Sequence, residues 1–177
     1  MIDTHAHITC DELFPQAEDV LQRARDAGVE RILCICLNPE EVKRAFALQE
    51  QYPWLDIAAG YHPGDLYELD EKAWNDMERI VQDERILAIG EIGLDYHWDD
   101  VDKETQKQAF ITQIEWANRL HKPILIHMRD ATKDTLELLK AHKQVNGIMH
   151  CFSGSIETAR ELLAMGMYLS VGGPLTF

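Results

Sequence analysis

Short apolar runs alternate with longer amphipathic stretches along almost the whole chain. The runs Ile2–Ile8, Arg31–Leu37, Leu55–Gly60, Ile86–Ile92, Pro123–His127, Gly147–Cys151 and Met167–Val171 are brief and mostly apolar, the pattern of strands buried on both faces. The stretches between them carry helix signals. Asn38-Pro39-Glu40-Glu41 supplies a cap, a proline for the first helical position and a capping-box glutamate. Ala73, Met77, Ile80 and Val81 fall on one helical face, as do Phe110, Ile114, Ala117 and Leu120. Gly28 and Gly166 stand where helices should stop before the next strand. No linker, low-complexity segment or close repeat interrupts the rhythm.

Regular alternation of strand and helix predicts parallel strands joined by helical crossovers, in an open doubly wound sheet or a barrel. No GxGxxG or phosphate-binding loop follows an early strand, which removes the main support for a nucleotide-binding open sheet. The pattern yields seven strands and six helices before Phe177. A complete barrel has eight of each in about 250 residues. The expected fold is therefore α/β, a TIM-type (β/α)8 barrel cut short after its seventh strand, with residues 1–177 forming one domain that lacks the eighth βα unit.

Composition narrows the class. With 46% hydrophobic and 27% charged residues, the chain reads as an ordinary soluble globular domain. It has no apolar run long enough for a bilayer and no signal-peptide pattern at its start, so no membrane role and a cytoplasmic location are expected. Nothing points to a protein partner. Cys10, Cys34, Cys36 and Cys151 form no CxxC pair, and Cys34 and Cys36 fit a strand as small core residues in a reducing compartment. Seventeen basic against 31 acidic residues leave a net charge of −14. That argues against broad binding of polyanions, yet leaves room for a phosphate held by metal ions and a few local cations.

Candidate chemistry gathers at strand ends, where barrel enzymes build their sites. His5 and His7 lie two apart on the first strand, so their side chains share a face and converge. Alone they fit either a metal pair or two solvated histidines near a terminus. His62 follows the third strand, Glu91 ends the fourth, His127 the fifth and His150 the sixth. Five of the eight histidines thus occupy such positions. Imidazoles clustered with a carboxylate gain little from packing, whereas they suit two divalent ions that share the carboxylate. Arg129 fits either an anionic oxygen or an ion pair with Asp130 or Asp134, and Asp95 a loop cap or an acceptor behind the ligands. His97, His121 and His142 are read as surface residues.

Five motifs carry a resemblance: DTHAH at Asp3–His7, GYHP at Gly60–Pro63, GEIGLDY at Gly90–Tyr96, IHMRDA at Ile126–Ala131 and HCFSG at His150–Gly154. In this order the chain resembles the TatD family of metal-dependent deoxyribonucleases. The resemblance implies that His5 and His7 hold one metal, His127 and His150 the other, and Glu91 bridges both. It places His62, Asp95 and Arg129 near the substrate phosphate or behind the ligands. It further implies DNA as substrate, cleaved by water activated by two divalent ions (zinc, manganese or magnesium). The family aspartate that follows the eighth strand has no counterpart up to Phe177, so no residue is assigned a directly catalytic role. A small amide, ester or phosphoester substrate, or a non-catalytic metal-binding paralogue, are the competing readings.

Overall fold

A computed structural model describes residues 1–176. Seven strands pair in parallel and in chain order: β1 (Ile2–Ala6), β2 (Arg31–Cys36), β3 (Leu55–Ala59), β4 (Ile86–Asp95), β5 (Ile124–Arg129), β6 (Gly147–Met149) and β7 (Met167–Leu169). Helices α1 (Ala17–Asp26), α2 (Pro39–Gln51), α3 (Glu71–Ile80), α4 (Lys103–Leu120), α5 (Thr132–His142) and α6 (Ile156–Ala164) make the crossovers. Strand order without reversal is the barrel arrangement; a doubly wound sheet would reverse direction at its switch point. The sheet curls until the Thr4 hydroxyl on β1 lies 3.5 Å from that of Ser170, just after β7.

The predicted start and stop signals operate as the physics requires. Asn38 Oδ1 accepts the Glu41 N–H at 2.9 Å, while the Glu41 carboxylate accepts the Leu37 N–H, also at 2.9 Å. Gly28 and Gly166 take φ of +85° and +75° where α1 and α6 end. Ile32, Cys34, Cys36, Ile57, Ile89 and Ile92 pack outward against helix residues such as Leu21, Val42, Met77, Phe110 and Ile114. Leu33, Ile35, Ala58, Ala88 and Leu125 form a smaller cluster on the concave face. Cys34 and Cys36 are fully buried beside the Thr9 hydroxyl, as expected of core cysteines.

Strand limits differ from the sequence reading in ways that matter for the site. β1 ends at Ala6, before His7, and β6 and β7 are only three residues each. β4 instead continues past Ile92 through Gly93-Leu94-Asp95, because β5 offers partners out to Arg129. Register breaks fall in β1 between Asp3 and Ala6 and in β4 between Ile89 and Ile92. Strict alternation would place Glu91 on the helix-facing side with Ile89; the irregularity lets Ile89 and Ile92 both face the helices and turns Glu91 inward.

Among the described residues, β1 and β7 each have one unpaired edge, and Ile2, Tyr168 and Val171 beside those edges are exposed. Unpaired parallel edges flanked by apolar side chains recruit other strands. The 177-residue polypeptide is expected to self-associate in size-exclusion chromatography, increasingly with concentration. A monomer with a sharp, high-temperature unfolding transition would contradict this.

Candidate metal centre

Glu91 sits at the centre of the strand ends, with its side chain only 5% exposed. His5 Nε2 approaches its Oε2 at 3.2 Å and His7 Nε2 at 3.6 Å, while His127 Nδ1 approaches Oε1 at 3.1 Å. The Nε2 atoms of His5 and His7 are themselves 3.0 Å apart. The His150 ring stacks on His5 with centroids 3.4 Å apart. Side chains from β1, β4, β5 and the segments after β1 and β6 therefore meet at one point. The register break in β1 does not separate His5 from His7, which converge although His7 lies beyond the strand.

Ligand atoms of His5, Glu91 and His150 lie within 4.8 Å of one another, and so do those of His62, Glu91 and His127. Two potential cation positions thus share one carboxylate. The donor set fits a metal better than it fits a packed core. Nδ1 of His5 and of His150 are buried with no hydrogen-bond partner, an arrangement that costs free energy in any fold. Three imidazole nitrogens crowding one carboxylate also leave lone pairs facing one another unless protons or a cation intervene.

Electrostatics follow this crowding. Burial pushes the Glu91 carboxyl up, but hydrogen bonds from His127, His5 and His7 outweigh it and hold the group well below the ordinary carboxylate range. Burial lowers His127, yet its contacts with Glu91 and Asp95 raise it overall. The Glu91 carboxylate raises His7. Burial, with His5 close by, pushes His150 down to about 4.

Asp95 and His62 are placed by contacts that the sequence did not disclose. Asp95 Oδ2 lies 2.9 Å from His127 Nε2, and its Oδ1 accepts the His97 N–H at 2.9 Å. With 4% exposure, Asp95 faces His127 rather than the open mouth, which favours the acceptor behind the ligands among the roles weighed from sequence. His62 caps the 3₁₀ turn Pro63–Glu68, its Nδ1 accepting the Gly64 N–H at 3.1 Å. A neutral ring with Nδ1 as acceptor carries its proton on Nε2. Burial and the nearby His127 lower His62, which favours the neutral ring.

Two buried glutamines of α4 set these positions. Gln113 pairs with both backbone groups of Tyr61, at 2.7 and 3.1 Å, and so fixes the residue before His62. Gln106 accepts the Asp95 N–H at 2.8 Å and donates to Asp95 O and Val101 O. Sequence reasoning missed both. Their one signal was a spacing of seven, two helical turns, on the same apolar face as Phe110 and Ala117. Arg129 is exposed at the end of β5 and lines a recess of about 350 Å³ with His150. Among the described residues it makes no ion pair; Asp130 faces His97, and Asp134 faces Lys107 and Tyr96. His121 ends α4 with φ of +54°, and His142 lies in the last turn of α5.

Comparison with known proteins agrees with the site's composition. The family model described as TatD related DNase matches residues 2–177. The metal-dependent hydrolase YabD of Bacillus subtilis is 42% identical over all of this chain and 70% of its own length. A 3′-5′ ssDNA/RNA exonuclease, TatD of Cronobacter turicensis, is 33% identical over 98% of this chain and 66% of its own length. The crystal structure of the Escherichia coli TatD homologue YjjV superposes with a TM-score of 0.93 at 32% identity, covering all of this chain and 70% of that one.

Proposed function

This chain belongs to the TatD-related DNase family of metal-dependent hydrolases, and from that premise we propose that it hydrolyses phosphodiester bonds of DNA with two divalent ions. The observation that carries the reading is the use of both Glu91 oxygens, one by His127 and the other by His5 and His7. His5, His7, Glu91, His127 and His150 would hold the ions, with zinc, manganese or magnesium as the candidates. Neutral imidazoles suit zinc or manganese, and the shared carboxylate suits any of the three. When bound, such ions lower the pKa of water and offset charge on the attacking and leaving oxygens. The same reading treats residues 1–177, with their seven strands and six crossover helices, as one barrel domain in which an eighth strand belongs between the edges of β7 and β1.

The remaining residues bind and orient. Hydrogen bonds from His127, His5 and His7 hold the Glu91 carboxyl low despite its burial, which favours the ionised form with two anionic oxygens. His62 Nδ1 accepts the Gly64 N–H, which leaves an Nε2–H suited to a non-bridging phosphate oxygen. Arg129 brings a guanidinium to the recess beside His150, where it can take two phosphate oxygens at once. Asp95 accepts from His127 Nε2 and so turns Nδ1 toward Glu91.

Incubation of the protein with DNA and each metal tests this reading. Cleavage that depends on metal and stops with chelator is expected. Hydrolysis of small esters or amides with DNA left intact would replace it, an outcome for which the net charge of −14 is the specific argument. Asp95→Ala is expected to weaken metal binding by about 10–100-fold, and Asp95→Asn to restore most of it, because the amide oxygen still accepts the His127 proton. Competition with a chelating dye measures both. Equal affinity of Asp95→Ala and the unmodified protein would remove the orienting role.

A further inference from the structure

Trp98 is the most conspicuous side chain that the site leaves unused. Trp98 is 58% exposed, although large aromatics gain most from burial. It lies in the segment between β4 and α4, three residues after Asp95. That segment is held on several sides. Gln106 bonds to Asp95 and Val101 at either end of it, the His97 N–H donates to Asp95, and His97 Nδ1 lies 3.2 Å from Asp130. The indole therefore stands on a braced support, and its exposure is not the by-product of a loose loop.

Its neighbour explains what the ring is suited to hold. The Arg129 guanidinium lies 5.7 Å from the indole centroid, within cation–π range, and the same side chain lines the recess beside His150. One arginine thus links the exposed indole, which the His97 ring also meets at 4.7 Å between centroids, to the phosphate position proposed above. The acidic balance makes such a device necessary. With a net charge of −14, general attraction to the phosphate backbone cannot supply most of the affinity for a nucleic acid. Stacking of bases on aromatic rings can, and it tolerates any sequence because every base has a π-face.

We propose that Trp98, braced against Arg129, is a stacking platform for an unpaired base next to the scissile phosphate. This rests on the nucleic-acid reading above and deepens it. A paired base inside a duplex has both faces covered by its neighbours in the stack, whereas an end or a single strand offers one.

Binding alone tests the idea, with phosphorothioate-linked oligomers that resist cleavage, in the presence of Mn²⁺. The probes are a thymidine oligomer, an abasic oligomer of the same length, and a duplex. The unmodified protein is expected to bind the thymidine oligomer about 10-fold or more tightly than the abasic one or the duplex, with quenching of tryptophan fluorescence. Trp98→Ala should lose that advantage and the quenching while its affinity for the abasic oligomer stays the same. Trp98→Phe, which keeps a ring, should retain most of the preference and guards against a misfolded alanine variant, as does far-UV circular dichroism. Equal binding of thymidine and abasic oligomers by the unmodified protein would overturn the platform and leave the nucleic-acid reading standing. Loss of affinity for both oligomers in a folded Trp98→Ala would also overturn it. Failure of every oligomer to bind the unmodified protein would overturn both readings together.

Discussion

Replacing Glu91 with glutamine is expected to abolish stoichiometric metal binding at both positions and to reduce phosphodiesterase activity by about 10²–10⁴-fold or more. Glutamine keeps the shape and can still accept hydrogen bonds, so the packing around it changes little. What it loses is the charge that offsets two divalent ions, in a site where burial makes every uncompensated charge costly. The carboxylate is also the one group that touches His5, His7 and His127 at once. A single histidine variant should therefore weaken one position more than the other, whereas this variant weakens both. His142→Ala is the control, since that residue lies in the last turn of α5, at the end of the crossover remote from the strand mouths. Metal content by atomic spectroscopy after dialysis reads the result. Two ions retained by the Glu91→Gln protein with unchanged affinity would mean that the carboxylate is not shared.

Much of this arrangement could be read from the sequence because it depends on periodicity and on local caps. Apolar runs located each strand to within three residues, and Asn38, Gly28 and Gly166 marked helix limits through chemistry confined to a few neighbouring positions. Strand-end histidines were legible for the same reason: a parallel barrel delivers each strand's C-terminal end to one mouth. Other features depend on contacts between segments far apart in the chain, which periodicity does not report. Glu91 lies on the wrong face by simple alternation and is turned inward only by a register break against β5. Asp95 lies beyond the apolar run that ends at Ile92 and reads as a loop cap or an acceptor, yet pairing with Arg129 keeps it in the strand. His62 looks like any other strand-end imidazole until the Gly64 N–H is found on its Nδ1. Gln106 and Gln113 carry no local signal of their contacts, and their roles appear only when the backbones of Asp95 and Tyr61 arrive beside them.

Gly93 shows how tightly fold and site are joined, and Gly93→Ala is expected to be among the most damaging single-methyl changes in the chain. Gly93 pairs with His127 across β4 and β5 and has φ of +143°, a conformation that side-chain-bearing residues rarely adopt. A Cβ there would lie 2.0 Å from the His127 carbonyl oxygen and 3.0 Å from its carbonyl carbon. Both are backbone atoms in the sheet, so no rotamer change relieves the clash; the two strands must part or β4 must rotate. Backbone strain alone costs on the order of 1–3 kcal/mol, and a clash of this kind adds to it, placing the loss above about 4 kcal/mol. Gly28→Ala separates the two contributions. Gly28 also has positive φ, +85°, but nothing lies within 4 Å of its added Cβ, so it should show only the conformational cost of about 1–2 kcal/mol. Denaturant midpoints measured on both variants give the comparison. Because the displaced backbone carries His127, whatever folded Gly93→Ala protein remains should also bind metal more weakly, while Gly28→Ala should bind it normally. Equal midpoints and equal metal affinity for the two variants would show that β4 and β5 can move apart at this point without cost, and that the close approach of their backbones does not fix the position of His127.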